Sequence, residues 1–83
     1  MRPKLRSLGG RDVLRALGAC GFVVVSTRRR HAKLRRVLSD GTRQTLTIPL
    51  HRTLAAGTLQ AIFRQACRYV PAAQLRPRFF GRD

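Results

Sequence analysis

Acidic side chains are nearly missing from this chain. Its 83 residues hold three aspartates (Asp12, Asp40 and Asp83) and no glutamate, against 18 Lys and Arg, for a net charge of +15 and a pI near 12. With the acids so few and scattered, no carboxylate pair is available for acid–base hydrolysis. No Ser–His–Asp set and no glycine-rich nucleotide loop stands in its place. The two cysteines, Cys20 and Cys67, lie far apart and match no metal-ligand spacing, so no metal site is expected. Both are flanked by apolar residues and read as buried free thiols of a reducing compartment, with a disulfide between them left open. Tryptophan is absent and tyrosine occurs once. No run approaches the ~18 apolar residues of a membrane span, so no membrane association is expected.

What remains is a small basic domain. Eighty-three residues leave room for one domain, and 43% hydrophobic content is that of a folded chain rather than a disordered one. A field of +15 attracts polyanions. Sixteen of the 18 cations are Arg, whose planar fork meets a phosphate at two points and stacks on bases. Nucleic acid is therefore the leading partner class, and no small-molecule cofactor is implied.

The residues 23–38 organise the rest. Val23-Val24-Val25-Ser26 reads as part of a strand, Thr27-Arg28-Arg29-Arg30 as a cationic turn, and His31 opens a second strand. Alternation then puts Ala32 and Leu34 on one face and His31, Lys33 and Arg35 on the other. A titratable ring between cations suits a phosphate backbone, although such alternation is also ordinary in half-covered sheets. His31 is the candidate catalytic residue. Arg28, Arg29, Arg30, Lys33 and Arg35 are candidates for phosphate contact.

The remaining elements follow from pattern and punctuation. Residues 1–10 form a basic lead-in in which Pro3 and Gly9-Gly10 disfavour regular structure. Val13, Leu14 and Leu17 predict a helix over Arg11–Ala19, with Asp12 at its positive end and Gly21 as a stop. Strands are expected at Phe22–Ser26, with two usable faces, at His31–Leu38 and at Thr42–Ile48, the last two joined by Ser39-Asp40-Gly41. After a loop through Gly57 that carries His51 and Arg52, Leu59, Ile62, Phe63 and Ala66 give an amphipathic helix over Thr58–Arg68. A short helix is expected from Val70-Pro71 to Leu75. The domain proper is expected over residues 11–76 and a basic tail over 77–83, with Phe79 and Phe80 docking on the core. Three strands with one apolar face and two helices to cover it make an α+β, α-β-β-β-α arrangement with a short C-terminal helix. That is the outline of a double-stranded-RNA-binding-domain-like (dsRBD-like) fold.

Three stretches carry a resemblance to a known family. "LGACGF" resembles a Leu-rich helix closing in Gly and an aromatic. "VVVSTRRRHAKL" resembles a strand–turn–strand that ends in Gly-Ser-His. "TIPLHRTLAAGTLQAIFRQA" resembles a Val-Pro loop followed by Gly-Thr-Leu and an Ile-Leu-Arg-Gln-Ala helix. In this order and spacing they are similar to the HicA family of toxins, the mRNA interferases of type II toxin–antitoxin pairs. The resemblance covers about residues 11–76. It implies a metal-independent endoribonuclease acting on mRNA, with His31 as general acid or base and a cognate HicB-like antitoxin as protein partner; with no secretory signal read in the sequence, a cytoplasmic location is expected. The family's Gly-Ser falls on Arg29 and Arg30. Arg takes a positive φ only with strain, so either the turn differs in shape or extra charge holds RNA at the same place. Two other classes fit the composition: a non-catalytic RNA-binding module of the same fold, and a structural basic protein that binds DNA and RNA alike.

Overall fold

The computed structural model describes residues 4–81; the rest of the lead-in and of the tail, 1–3 and 82–83, lies outside the described residues. The order is β1 (Lys4–Leu5), α1 (Gly10–Gly18), β2 (Val23–Arg28), β3 (His31–Val37), β4 (Arg43–Pro49), α2 (Ala56–Ala66), α3 (Ala72–Phe79) and β5 (Phe80–Gly81). β2, β3 and β4 form one antiparallel sheet in sequence order. The architecture is the expected α+β, dsRBD-like arrangement.

The core lies between one face of that sheet and the helices. Ala32 and Leu34 of β3 and Leu46 and Ile48 of β4 are buried against Val13, Ala16 and Leu17 of α1 and Leu59, Ile62 and Ala66 of α2. The 3.6-residue and two-residue periodicities thus converge on one apolar layer. Phe79 is fully buried and packs edge-on against Phe63, with Phe80 on the same ring. The tail aromatics dock on the core as expected.

Several expectations needed correction. β2 was to offer two usable faces, but all six of its residues are exposed: it is an outer strand overhanging the helical layer. Its register shifts between Val24 and Ser26, a bulge at Val25 that disturbs the open edge as a template for further pairing. β2 runs on to Arg28, so the turn contracts to Arg29 and Arg30. α2 starts at Ala56 rather than Thr58 and ends at Ala66 rather than Arg68. α3 continues past Leu75 to Phe79 with Pro77 inside it. Leu75 and Phe79, four apart, are both wholly buried, and that burial outweighs the bond Pro77 removes. Cys20 and Cys67 are unpaired but only half-buried.

The stretch before α1 is also more ordered than its composition suggests. Lys4 and Leu5 pair with Gly81 and Phe80, and the Arg6 N–H donates to the Phe79 carbonyl at 2.8 Å. Gly9 and Gly10 do not break structure; they start α1 as N-cap and first residue. Glycine is required there by close approach. A Cβ on Gly9 would fall 2.1 Å from the Arg52 carbonyl oxygen, and one on Gly10 would fall 2.2 Å from that of Pro49. The Gly10 N–H donates to the His51 carbonyl at 2.9 Å, and the Leu54 N–H to Leu8 at 2.8 Å. The loop after β4 is thereby fastened to the start of α1. Asp12 caps that start, accepting the Gly9 N–H at 2.8 Å and pairing with Arg15.

One arginine is part of the framework. Arg36 shares the core-side parity of Ala32 and Leu34. Its guanidinium donates to Gln44 Oε1 (2.8 Å), the Cys20 carbonyl (2.9 Å) and the Tyr69 carbonyl (2.7 Å), and it lies 5.0 Å from the Phe22 ring centroid. It closes the end of the core by joining β4, the exit of α1 and the link between α2 and α3.

Candidate nucleic-acid interface

The face of the sheet away from the helices is uncovered. Register sets its rows. His31 lies between Arg28 and Pro49, Lys33 between Ser26 and Thr47, and Arg35 between Val23 and Thr45. Successive rows are ~6.6 Å apart, two residues of strand rise. His31, Lys33 and Arg28 are exposed; Arg35 is half-buried. Hydroxyls of Ser26, Thr45 and Thr47 flank the cations and can donate to the same anionic oxygens. The Arg35 Nε is buried and has no hydrogen-bond partner among the described residues.

The turn that delivers His31 has an uncommon backbone. Arg29 (φ 47°) and Arg30 (φ 67°) both lie in the left-handed region. Two consecutive positive φ values in a two-residue hairpin loop are those of a type I′ turn, whose twist matches the strands it joins. Both Arg29 and Arg30 thus take the left-handed conformation that Gly adopts freely. The shape that Gly would adopt freely is held by Arg, at ~1–2 kcal/mol per residue. The surroundings enforce it: Arg28 pairs with His31, and the Leu50 N–H donates to the Arg30 carbonyl at 2.7 Å.

That turn also orients the imidazole. His31 Nδ1 lies 3.2 Å from the Arg29 carbonyl oxygen. A carbonyl oxygen only accepts, so Nδ1 carries the proton in this contact, and the neutral ring has its lone pair on Nε2. A basic nitrogen thus stands on an exposed ring, beside Arg28 and one row from Lys33.

The family model for the HicA toxin of bacterial toxin–antitoxin systems matches residues 10–66. This chain belongs to the HicA toxin family. No curated protein and no solved structure gives a match. The matched span runs from the first residue of α1 to the last of α2, so it contains the whole three-stranded sheet and both Arg29 and Arg30. Membership makes this HicA-family chain a toxin of a toxin–antitoxin pair and implies a cognate antitoxin. Among its described residues no helix is long and apolar enough to cross a membrane.

The six residues singled out in the sequence do not all serve one spot. Arg28, His31, Lys33 and Arg35 share the open face, while Arg29 and Arg30 form its rim. Arg30 also lines a groove beyond the turn together with Arg11, His51 and Arg52. The grouping of Arg11, His51 and Arg52 with Arg30 escaped the sequence reading, because it arises from the Gly9–Gly10 packing on the 49–52 loop.

Proposed function

We propose that this HicA-family chain is an mRNA-cleaving endoribonuclease acting in the cytoplasm, with His31 as its general acid–base group and with Arg28, Arg29, Arg30, Lys33 and Arg35 holding the RNA backbone. The observation that carries the reading is the exposed His31 ring, fastened through Nδ1 to the Arg29 carbonyl and surrounded by cations on an uncovered sheet face.

The chemistry follows from the neutral ring. Nε2 takes the proton of a ribose 2′-OH as that oxygen attacks the adjacent phosphorus. The new P–O2′ bond forms and the P–O5′ bond breaks. The leaving 5′-oxygen gains the proton that the imidazolium then gives up. The products are a 2′,3′-cyclic phosphate and a 5′-hydroxyl. Charge gathers on the phosphorane oxygens, where Arg28 and Lys33 act as fixed positive groups. Every step uses groups of the chain and the RNA itself, and DNA lacks the attacking hydroxyl.

A cognate antitoxin of HicB type would silence this site by covering the His31 face. An acidic surface would suit it, since the +15 charge speeds encounter with an anionic protein. Inducible expression of the wild type and of His31→Ala in a bacterium without the antitoxin tests the reading. Growth arrest with loss of mRNA from the wild type alone is expected. Identical behaviour of the two removes His31 from the mechanism, and RNA binding without cleavage would favour a non-catalytic RNA-binding module.

A further inference from the structure

We infer that the groove beyond the Arg29–Arg30 turn is a second phosphodiester-binding site, which holds the RNA backbone phosphate next to the one at His31. This rests on the reading of the chain as an RNA-cleaving toxin.

The groove has a volume of about 390 Å³ and is lined by Arg11, Asp12, Arg30, Leu50, His51 and Arg52, with Gly9 at its floor. Three guanidiniums and an imidazole converge on it against one carboxylate. That carboxylate is already engaged, with one oxygen on the Gly9 N–H and the other on Arg15. Among the described residues, no hydrogen bond or ion pair engages the side chains of Arg11, Arg30, His51 or Arg52. The three guanidiniums outnumber the one carboxylate, so the groove carries a net positive field that an entering anion relieves.

The backbone holds the cluster together regardless. The Gly10 N–H bond to the His51 carbonyl brings His51 and Arg52 to the start of α1, where Arg11 projects. The close approach at Gly9 and Gly10 permits no side chain between them. The Leu50 N–H bond to the Arg30 carbonyl then ties the loop to the turn. Arg30 precedes His31 and Leu50 precedes His51, so the two histidines flank one backbone hydrogen bond. Arg30 belongs both to the rim of the open face and to the groove. It is next to His31 in the chain, so the groove is the place for the phosphate that follows the scissile one. There Arg11, Arg30 and Arg52 can take the phosphate oxygens in forked contacts, and His51 can hydrogen-bond a phosphate oxygen. Directly at the catalytic rim, this site makes cleavage depend on at least one flanking nucleotide.

The test uses the full chain with His31→Ala, which stops turnover, and compares an RNA dinucleotide (one phosphate) with a tetranucleotide of the same central step. Adding Arg11→Gln and Arg52→Gln should weaken the tetranucleotide roughly tenfold, and its log K against log [salt] slope should become shallower by about 0.7, one phosphate's worth. The dinucleotide should be unaffected. His51→Gln, which keeps the backbone carbonyl, should weaken the tetranucleotide to a lesser degree. Equal losses for both oligonucleotides, or none for either, overturn the site. The parent reading fails separately. Wild-type protein that never cleaves RNA, yet shows the length-dependent loss, keeps the groove and removes the nuclease. Cleavage with no length-dependent loss keeps the nuclease and removes the groove.

Discussion

His31 and Arg29 are joined through the turn between them: the imidazole Nδ1 donates at 3.2 Å to the carbonyl of Arg29, a residue at positive φ. The strained turn thus carries the acceptor that orients the ring. Strain that persists where a ligand would lie points to use, and here its use is to set which nitrogen faces outward.

The first consequence concerns stability against binding. Replacing the turn by Arg29→Asn and Arg30→Gly supplies the pair a type I′ turn favours. Thermal unfolding should show stabilisation of about 1–2 kcal/mol, on the order of 5–10 °C for a domain of this size. RNA affinity should fall, and the dependence of log K on log [salt] should become shallower, since phosphate contacts are lost with the two guanidiniums. Cleavage at saturating RNA should change little, because the residue 29 carbonyl remains.

Arg36 should behave unlike its fellow arginines. Its three hydrogen bonds join four parts of the fold. Arg36→Ala should destabilise by about 2–4 kcal/mol by leaving the Cys20 and Tyr69 carbonyls without their donor. Arg36→Lys should recover only part of this, since an ammonium cannot span three separated acceptors. Denaturant midpoints of the two variants decide it.

The glycines divide into two kinds. Gly10→Ala should destabilise by about 1–3 kcal/mol, because the added methyl meets the Pro49 carbonyl, and it should push the 49–52 loop off α1. Gly57 lies in α2 with open space around its Cβ position. Gly57→Ala should stabilise by about 0.5–1 kcal/mol. Thermal unfolding of both variants, side by side, is the check.

Acid should loosen the hairpin between β3 and β4. The Thr42 hydroxyl and N–H, the latter at 2.9 Å, hold the Asp40 carboxyl below the usual carboxylate value. A depressed native pKa means stabilisation that is full above the unfolded-state value and lost as pH falls through the native one. Stability should therefore drop below about pH 4 through this group. Asp40→Asn should flatten that acid limb in a pH series of unfolding midpoints, and an unchanged limb would contradict it.

How far the sequence could be read depended on the range of the forces involved. The sheet was legible because alternation and Asp40-Gly41 act over a few residues, and the α2 face because Leu59, Ile62 and Ala66 keep helical spacing. The placement of His31 on an open face was legible for the same reason. The Arg29-Arg30 turn was not, since local preference argues against positive φ and the enforcing contact comes from Leu50, twenty residues on. Gly9-Gly10 looked like a breaker because its partners, Pro49 and Arg52, are distant in sequence. Pairing of β1 with β5 involves two residues on each side, too short for any periodicity. Arg36 hid among sixteen arginines, although its even parity with Ala32 and Leu34 marked it as facing inward.

The most direct measurement is cleavage of one RNA, and of the DNA of the same sequence, by purified wild type and His31→Ala. The account predicts RNA products ending in 2′,3′-cyclic phosphate from the wild type, a rate lower by about 10²–10⁴-fold for the variant, and intact DNA throughout. Equal RNA cleavage by the two proteins, or DNA cut as readily as RNA, would contradict it.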